Sequence, residues 1–370
     1  MRIALVIYGD LETVTGGFLY DKILVDYLRQ QGNQVEIISL PWKRYAGQVL
    51  LNFAKAYFRR LVFGQYDLIL QDELAHPALF LLNRKIKRHS ATPVIAIVHQ
   101  VLCSQPRFFL WNVFFRIVEK RYLTTVDGMI CNSRTTLSAA RSLAGQDMKS
   151  IVARPAGNRF DFKVNALQVK KRAFQPGPLR LLFVGSLLPG KQLHTLIHSL
   201  ADLPPSMWRL TVVGNDALVK AYVKRVKRLV VKKNLAEQIV FTGLLSGHEV
   251  AEYMNRSHLL VMPYSHEGFG MAYIEGMAFG LPAMGSSAGA AREIIDHEKN
   301  GFLIDPGDLL TPRVLIGKLD ADRQLLYQMS LAALARFRQH PTWEQSMSRI
   351  FLFLQSIVES HEMAGIKTLR

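Results

Sequence analysis

Short runs of consecutive apolar residues alternate with longer amphipathic segments along the whole chain. The first run, Ile3–Tyr8, is apolar without interruption, as expected for a buried strand of a parallel sheet. A loop that ends in Gly16 and Gly17 follows, and Phe18–Gln31 then carries apolar residues at helical spacing before a second strand at Val35–Leu40. This strand–helix–strand order predicts a parallel sheet that is covered by helices.

The same alternation continues in both halves of the chain. Further strands of the first half are predicted at Tyr66–Gln71, Val94–His99, Val126–Asn132 and Ser150–Ala153. Those of the second half are predicted at Arg180–Gly185, Trp208–Gly214, Gln238–Thr242, His258–Met262 and Gly301–Ile304, with helices at Leu193–Leu200 and Ala217–Lys233. Residues 166–178 combine basic residues with prolines and a glycine, which is typical of a linker between the halves.

These elements predict an α/β protein with two Rossmann-like, doubly wound domains, residues 1–165 and 178–340, whose strands end at a common cleft. A last helix begins near Trp343. It carries an apolar stripe of Ile350, Phe351, Leu354 and Ile357. Such a stripe needs to be covered, so we expect residues 343–370 to pack back on the first domain.

Composition narrows the class of protein. Hydrophobic residues make up 49% of the chain and charged residues 20%, which excludes a disordered protein. The two cysteines, Cys103 and Cys131, are too few for a disulfide framework or a cysteine-rich metal site. No apolar run approaches the roughly 20 residues that span a bilayer, and Asp10 comes too early for a signal peptide. We therefore expect a cytoplasmic enzyme.

The charge is strongly basic, with 46 lysines and arginines against 29 acidic residues and a net charge of +17. Residues 41–64 and 107–123 mix these cations with aromatic residues at helical spacing. Either the two helices bury their aromatic residues and leave a solvated basic edge, or they lie on an anionic membrane leaflet at the cytoplasmic face. The second interpretation would suit a lipid acceptor. The basic helix at 217–233 is interpreted as a solvated face, and the absence of a nucleic-acid-binding motif argues against nucleic acid as a partner.

The most informative segment is residues 263–289. A predicted strand leads into the loop EGFG at 267–270, and a helix begins near Met271. Backbone N–H groups at a glycine-rich helix start form a site for anions such as a diphosphate. Carboxylates are repelled by phosphate, so Glu267 and Glu275 are better placed to accept hydrogen bonds from sugar hydroxyls. A nucleotide sugar offers two such sets of hydroxyls, on its ribose and on its hexose.

Five of these residues match a family signature: Glu267, Gly268, Phe269, Gly270 and Glu275. They match the E-x7-E motif of retaining GT-B glycosyltransferases of family 4, and the chain resembles this family over essentially its whole length. Other segments resemble its motifs in order along the chain: Gly16-Gly17 (glycine loop), His99 (active-site histidine), Ser133 (after a strand), Pro155-Ala156-Gly157 (P-N-G), residues 183–191 (phosphate-binding segment) and Trp343-Glu344 (start of the last helix).

The resemblance implies roles for the residues of the second domain. Glu275 would bind the donor ribose, and Glu267 would bind the transferred sugar near its 3- and 4-hydroxyls. Lys191 would hold the diphosphate together with backbone N–H groups of Gly268, Phe269, Gly270 and Met271.

The resemblance also implies roles in the first domain and one departure from the family. Gly16 and Gly17 would let the backbone approach the diphosphate and the acceptor, and His99 would approach the sugar, so that His99, Glu267 and Lys191 form the expected catalytic set. After Gly185, however, Ser186 stands where the family usually has arginine. A charge-assisted hydrogen bond to phosphate is worth about 1.5–3 kcal/mol, so its loss would weaken donor binding or leaving-group stabilisation.

The implied reaction is the retaining transfer of a hexose from a UDP- or GDP-linked sugar, which is a co-substrate, with no cofactor and no metal. The single D-x-D, Asp320-Ala321-Asp322, precedes a predicted helix at 325–336 and is interpreted as a capping segment. If the basic segments lie on a membrane, the acceptor would be a glycolipid, a diacylglycerol or a polyprenyl-linked sugar; a soluble acceptor stays open as the alternative. Two alternatives stay open: a sugar-nucleotide epimerase, and a non-catalytic nucleotide-sugar-binding protein that lost a cation at Ser186.

Overall fold

The structure, a computed structural model, describes residues 1–13, 15–105, 109–160 and 162–368, with the backbone alone at 109–110 and 364–368. The chain divides into two compact units. Unit 1 comprises Met1–Pro155 and Pro341–Arg370, and unit 2 comprises Ala156–His340. Each unit has a six-stranded sheet and a hydrophobic core of its own.

The sheet of unit 1 is parallel throughout. Its strands are β1 (Arg2–Tyr8), β2 (Gln34–Leu40), β3 (Leu68–Asp72), β4 (Val94–Val98), β5 (Gly128–Cys131) and β6 (Ser150–Val152). They lie in the order β2-β1-β3-β4-β5-β6, so the direction in which strands are added reverses between β1 and β3. Open parallel sheets bind ligands at the carboxyl ends of the strands beside such a reversal.

Helices connect these strands. They are α1 (Gly16–Gln30), α2 (Tyr45–Leu50), α3 (Lys55–Phe63), α4 (His76–Leu79), α5 (Leu82–His89), α6 (Phe109–Leu123) and α7 (Arg134–Ala144). Helix α1 begins two residues before the predicted start, because the Thr15 hydroxyl accepts a hydrogen bond from the Phe18 N–H at 3.3 Å and caps the helix. Gly16 and Gly17 therefore form its first turn instead of a loop.

The sheet of unit 2 is also parallel. Its strands are β7 (Leu179–Val184), β8 (Trp208–Val213), β9 (Ile239–Gly243), β10 (Leu259–Met262), β11 (Ala283–Ser286) and β12 (Gly301–Ile304). The order β12-β11-β10-β7-β8-β9 is the Rossmann order, with the reversal between β7 and β10. The predicted α/β class with two Rossmann-like sheets is confirmed. Strand β11 was not predicted, because its sequence, AMGS, lacks the β-branched and aromatic residues that mark strands.

The helices of unit 2 are α8 (Ala166–Ala173), α9 (Leu193–Leu200), α10 (Lys220–Lys232), α11 (Gly247–Arg256), α12 (Met271–Ala278), α13 (Leu310–Ala321) and α14 (Arg323–Arg338). Helix α8 corrects the prediction of a linker over residues 166–178. It is capped by reciprocal hydrogen bonds between Asn165 and Gln168. The buried Arg172 donates to the carbonyl oxygens of Phe279 (2.7 Å) and Gly280 (2.9 Å), so a residue that suggested a solvated linker satisfies carbonyls just beyond α12.

A long last helix, α15 (Trp343–Thr368), belongs to unit 1. The ring of Trp343 lies 5.8 Å from that of Tyr20 on α1, and the Ser346 hydroxyl donates to the Arg154 carbonyl at 2.6 Å. Ile350, Leu354 and Ile357 are buried, whereas Phe351 is half-buried. Among the described residues, no helix combines the length and apolarity required to cross a bilayer.

Truncation after Thr342 is expected to destabilise unit 1. The deletion removes three fully buried aliphatic side chains, each of which contributes about 1.5–3 kcal/mol, and it uncovers the apolar face of α1. Thermal unfolding of residues 1–342 should therefore begin at a lower temperature than that of the full chain. A truncated protein with the melting curve of the full chain would contradict this assignment.

Candidate functional site

A sharp turn sets the start of α12 beside the carboxyl end of β10. Gly270 adopts φ +93°, and a β-carbon there would lie 2.4 Å from the ring of Tyr273. The Tyr273 hydroxyl donates to the carbonyl of Met262, the last residue of β10, at 3.0 Å. Glycine is thus needed at 270 both for the left-handed backbone and for the close approach of Tyr273. The turn brings the start of α12 to the edge of the sheet where the strand order reverses.

Two loops meet at this point, one after β7 and one after β10. The backbone N–H and the hydroxyl of Ser265 both donate to the carbonyl of Gly190, at 2.9 and 3.1 Å. The Lys191 ammonium lies 3.2 Å from Oε2 of Glu267 and 3.6 Å from the ring centroid of Tyr264. Both residues were predicted as site residues, and the structure brings them into one ion pair.

Glu275 was also predicted as a site residue, but its partner, Arg159, was not. The guanidinium of Arg159 donates through Nε and one Nη to the two oxygens of Glu275, at 2.5 and 3.2 Å. Glu275 is only 2% exposed, whereas the Arg159 side chain is 32% exposed and stacks on Phe160 at 4.3 Å. A buried carboxylate requires such a partner.

A close backbone contact brings Arg159 to α12. A β-carbon at Gly157 would lie 2.7 Å from the carbonyl oxygen of Ile274 and 3.0 Å from the backbone nitrogen of Glu275. The segment Pro155-Ala156-Gly157 therefore packs glycine backbone against the helix and leads directly to Arg159. The sequence shows Arg159 two residues after this motif, but it does not reveal which carboxylate the arginine binds.

The segment after β7 is equally tight. A β-carbon at Gly185 would lie 2.6 Å from the Tyr264 hydroxyl, and one at Gly214 would lie 2.1 Å from the Gly185 carbonyl oxygen. Ser186 follows with its side chain half-buried. The cations beside the predicted carboxylates come from elsewhere: Lys191 pairs with Glu267, and Arg159 pairs with Glu275.

His99 lies in unit 1, just after β4. Its Nε2 is 3.0 Å from Oδ1 of Asp21 on α1, and a β-carbon at Gly17 would lie 3.2 Å from its ring. Burial by itself lowers the pKa of His99, but the Asp21 carboxylate, with smaller contributions from Asp72 and Glu73, raises that pKa to about 9. The imidazole is therefore protonated at neutral pH and acts as a hydrogen-bond donor.

Replacement of Asp21 by asparagine is expected to lower the pKa of His99, because burial then opposes protonation with less compensation. In the wild type the raised pKa stabilises the fold below the unfolded-state value of about 6.5, and this contribution is lost as the pH rises through about 9. NMR titration of the histidine ring signals in both proteins measures the shift. An unchanged pKa in Asp21→Asn would show that another group holds the proton, and Asp26→Asn, on the same helix, is the matched control.

A second cluster, buried except for the half-buried Tyr45, lies next to His99 and was missed from the sequence. Its members are Tyr45, Asp72, Glu73, His76 and Glu119. His76 accepts from the Tyr45 hydroxyl at Nε2 (3.0 Å) and contacts the Glu73 carbonyl oxygen through Nδ1 (2.9 Å). Burial raises the pKa of Asp72 to about 7, that of Glu73 to about 8 and that of Glu119 to about 7. The acidic pair Asp72-Glu73, at the carboxyl end of β3, was the signal that could have identified it.

Two groups of side chains in unit 1 bring metal-ligating atoms within 4.8 Å of one another. They are Asp21, Asp72 and His99, and Glu73, His76 and Glu119. Hydrogen bonds already occupy several of these atoms: His99 Nε2 pairs with Asp21, and both oxygens of Glu119 accept backbone N–H groups, from Leu102 and Cys103. We therefore interpret both groups as hydrogen-bond networks.

The D-x-D segment caps a helix. Asp322 Oδ1 accepts from the Leu325 N–H at 2.8 Å, and Asp320 forms an ion pair with Arg323 at 2.7 Å. The prediction of a capping segment is confirmed, and α14 begins at Arg323.

The two aromatic and basic segments of unit 1 share one surface. The Tyr45 ring on α2 packs against Phe114 (5.6 Å) and Phe115 (4.9 Å) on α6. Several large apolar side chains of these segments remain exposed: Trp42, Leu50, Phe53, Phe63, Trp111, Phe114 and Ile117. Others are buried: Leu51, Leu61, Phe115 and Val118. Residues 107 and 108 of the predicted segment lie outside the described residues. We call residues 41–64 and 109–123 the aromatic-basic surface.

The segment that carries the unit 2 site is similar to known proteins. Residues 165–313 match the family model described as glycosyl transferases group 1. Over 131 residues the chain is 35% identical to an uncharacterized glycosyltransferase of Methanocaldococcus jannaschii, which covers 35% of each chain. Over 179 residues it is 27% identical to a serotype-specific mannosyltransferase of Escherichia coli, covering 48% of this chain and 22% of that protein. The chain thus spans well under half the length of these two relatives.

Solved structures show the same fold over nearly the whole chain. Sucrose-phosphate synthase from Thermosynechococcus elongatus superposes with a TM-score of 0.82 at 20% identity and covers 97% of this chain and 99% of that one. The Anabaena protein HepE, solved in complex with UDP-glucose, has a TM-score of 0.74 at 21% identity, with 96% and 100% covered. WaaG, a glycosyltransferase involved in lipopolysaccharide biosynthesis, has a TM-score of 0.72 at 15% identity, with 95% and 99% covered. The predicted GT-B fold is confirmed.

Proposed function

We propose that this protein is a glycosyltransferase that moves a hexose from a UDP- or GDP-linked sugar to an acceptor hydroxyl, with retention of configuration and without a metal ion. One observation carries the proposal. Two carboxylates, Glu267 and Glu275, flank the turn at the start of α12, each paired with a cation, in a segment that matches glycosyl transferases group 1. Hydroxyl acceptors and diphosphate-binding groups are thus combined at the strand reversal of a Rossmann sheet.

The charged groups around the start of α12 match the diphosphate and the hydroxyl groups of a nucleotide sugar. The start of α12 and the Lys191 ammonium would take the diphosphate, Glu267 the hydroxyls of the hexose and Glu275 those of the ribose. The position of Ser186 offers no cation, and we propose that Arg159 is the second cation of the donor site. The co-crystallised UDP-glucose of the Anabaena protein makes UDP-glucose the first donor to test.

The reaction breaks the bond between the anomeric carbon and a diphosphate oxygen, and it forms a bond from that carbon to the acceptor oxygen. Negative charge develops on the leaving diphosphate, where Lys191 and the start of α12 would stabilise it. We propose that the acceptor proton passes to the leaving phosphate oxygen. His99 holds its own proton at neutral pH, so it would donate a hydrogen bond to the sugar and would not act as a base.

A donor panel tests the proposal. The full chain is heated with UDP-, GDP- and ADP-linked sugars, and its melting temperature is recorded. Stabilisation by one nucleotide sugar identifies a donor, and transfer of its sugar to an acceptor then supports a glycosyltransferase over a non-catalytic nucleotide-sugar-binding protein. No shift with any of them contradicts the donor site. Chemical conversion of the bound sugar in the absence of an acceptor would favour an epimerase.

We further propose that the acceptor is presented on a membrane and that the aromatic-basic surface rests on an anionic leaflet. Exposed aromatic residues such as Trp42, Phe53 and Trp111 lie on this surface together with the exposed cations of α3. Amphipathic rings beside lysines and arginines are typical of surfaces that bind at the lipid interface. A membrane glycolipid or lipid-linked sugar would then meet the enzyme from the bilayer.

Liposome co-sedimentation measures this contact. Replacing Arg44, Lys55 and Arg59 by glutamine is expected to weaken binding to anionic vesicles by about a hundredfold, at about 1 kcal/mol per cation. The control removes three exposed cations of α10, namely Lys224, Arg228 and Lys232, and should retain binding. Equal loss in both variants, or pelleting that salt does not reduce, would contradict a specific surface.

A further inference from the structure

Unit 2 has a surface pocket of about 790 Å³ at the amino ends of its strands. The end of α8, the start of β7 and the end of α11 form its wall. The candidate donor site lies at the carboxyl ends of the same strands, so the pocket opens at the opposite edge of the sheet. Its volume lies within the range of roughly 300–1,000 Å³ that is usual for small-molecule sites.

Cations dominate the wall of this pocket. Four of its side chains are basic, namely Lys171, Arg172, Arg180 and Arg256, and among the described residues that line the pocket none is acidic. Arg256 has a carboxylate partner, Glu252, at 3.3 Å. Within the described part of the chain, Lys171, Arg172 and Arg180 form no ion pair with a carboxylate. The pocket therefore has three cations that lack an anionic partner.

Backbone carbonyl groups compensate only part of this charge. Arg172, 8% exposed, donates to the Asn255 carbonyl at 3.0 Å, in addition to the two carbonyls just beyond α12. Arg180 donates through Nε to the Arg256 carbonyl. These carbonyls lie at the ends of α11 and α12, and each helix end carries about half a unit of negative charge. Two helix ends thus offset about one of the three positive charges.

The cations of this region also repel one another. Burial, followed by the charge of Arg180, lowers the pKa of Arg172 to about 10. Burial and then Arg323 lower the pKa of Arg180, and burial followed by Arg180 lowers the pKa of His258 to about 3, so that this imidazole stays neutral. An anion bound in the pocket would relieve this repulsion.

The pocket has hydrogen-bond donors to offer such an anion. Among the described residues, Nε of Arg172 and Nη1 of Arg180 have no hydrogen-bond acceptor. Guanidinium and ammonium groups match the oxygens of a phosphate, which accept several charge-assisted hydrogen bonds. The ring of Phe174, 43% exposed, adds an apolar surface to the wall. Free phosphate would not use that surface, whereas the organic part of a phosphate ester would.

We infer that this pocket binds the phosphate group of a small molecule and that Lys171, Arg172 and Arg180 hold it. Inorganic phosphate and a phosphorylated metabolite share this chemistry, and the exposed ring of Phe174 favours the metabolite. The inference does not rest on the proposed function, because the pocket is separate from the groups that would bind the nucleotide sugar.

Isothermal titration calorimetry of the full chain tests the inference, with UDP present to occupy the donor site. Glucose 6-phosphate, inorganic phosphate and glucose are compared as probes. Glucose 6-phosphate should bind and glucose should not. Inorganic phosphate that binds as tightly as glucose 6-phosphate would support a site for the phosphate group alone, and weaker binding would support a site for a phosphate ester. Lys171→Gln combined with Arg180→Gln should weaken binding of glucose 6-phosphate by at least about tenfold.

A second variant separates binding from folding. Arg180 also donates to a backbone carbonyl, so melting curves are recorded for its variant. Lys171→Gln combined with Arg256→Gln changes only exposed side chains of the pocket and should weaken binding as well. The matched control, Lys224→Gln combined with Arg228→Gln, removes two exposed cations of α10 and should retain it.

Three results would overturn the inference. They are a wild type that binds neither phosphate probe, pocket variants that bind like wild type, and an α10 variant that loses as much affinity as the pocket variants. In the last case binding would follow the net charge of the chain instead of this pocket. UDP binding is measured on the same samples, and its absence would contradict the proposed donor site while leaving the result for this pocket unchanged.

Discussion

Replacing Glu275 by glutamine is expected to weaken binding of the nucleotide sugar by about a hundredfold. Hydrogen bonds to a charged group contribute about 1.5–3 kcal/mol each, and two ribose hydroxyls would use this carboxylate. The amide keeps the shape of the side chain, but it offers a single acceptor oxygen and turns a donor toward the other hydroxyl. Isothermal titration calorimetry with the donor identified in the panel measures the change.

The experiment must distinguish a loss of donor binding from a loss of stability of the fold. Glu275→Gln also leaves the Arg159 guanidinium without its carboxylate, but Arg159 is 32% exposed, so water offsets much of that loss. Glu252→Gln breaks an exposed glutamate–arginine pair in the same unit, with Arg256 at 3.3 Å, and is the matched control. If the dissociation constant of Glu275→Gln stays within about twofold of wild type, Glu275 does not bind the donor.

Lys191→Ala is expected to lower kcat by about 10²–10³-fold, the usual loss when one group that stabilises developing charge is removed. The ammonium is held between the Glu267 carboxylate and the Tyr264 ring, so in the proposed reaction it would be oriented before the leaving diphosphate develops its charge. Steady-state kinetics with the identified donor measure this effect.

A lysine in a similar setting serves as the control. Lys227 lies 3.3 Å from Asp216 and 5.6 Å from the ring of Phe241, in the same unit but on α10. Lys227→Ala should leave kcat unchanged. An increase in KM with unchanged kcat in Lys191→Ala would mean that Lys191 binds the donor equally in the ground state and the transition state.

Much of the fold was predictable because parallel strands buried on both faces are continuously apolar. Ile3–Tyr8 and Val94–Val98 are examples of such runs, and both are strands. The predictions failed where local composition was misleading. Strand β11 is built from small residues, and α8 contains basic residues of which one, Arg172, is buried against carbonyl groups of distant segments. No local pattern indicates such a long-range partner.

The candidate site was likewise predictable only in part. Glu267 and Glu275 are eight positions apart, on the turn before α12 and on α12 itself, so their placement on one loop and helix follows from the sequence. Arg159 reaches Glu275 across 116 positions, and the cluster around Glu73 joins β3, α4 and α6. These contacts depend on the order of the strands and on packing between helices, which a single sequence does not contain.

The internal ion pairs of unit 2 have a consequence for ionic strength. The charges of Glu267, Lys191, Glu275 and Arg159 sum to zero, although the whole chain carries +17. A dianionic donor would therefore replace the carboxylates as the partner of Lys191 and Arg159, within a set of charges that is neutral overall. Long-range attraction from these four groups does not speed its approach. Donor affinity should vary little with salt, in contrast to the salt-dependent adhesion expected of the aromatic-basic surface. One protein would thus hold a salt-insensitive donor pocket and a salt-sensitive contact with the membrane.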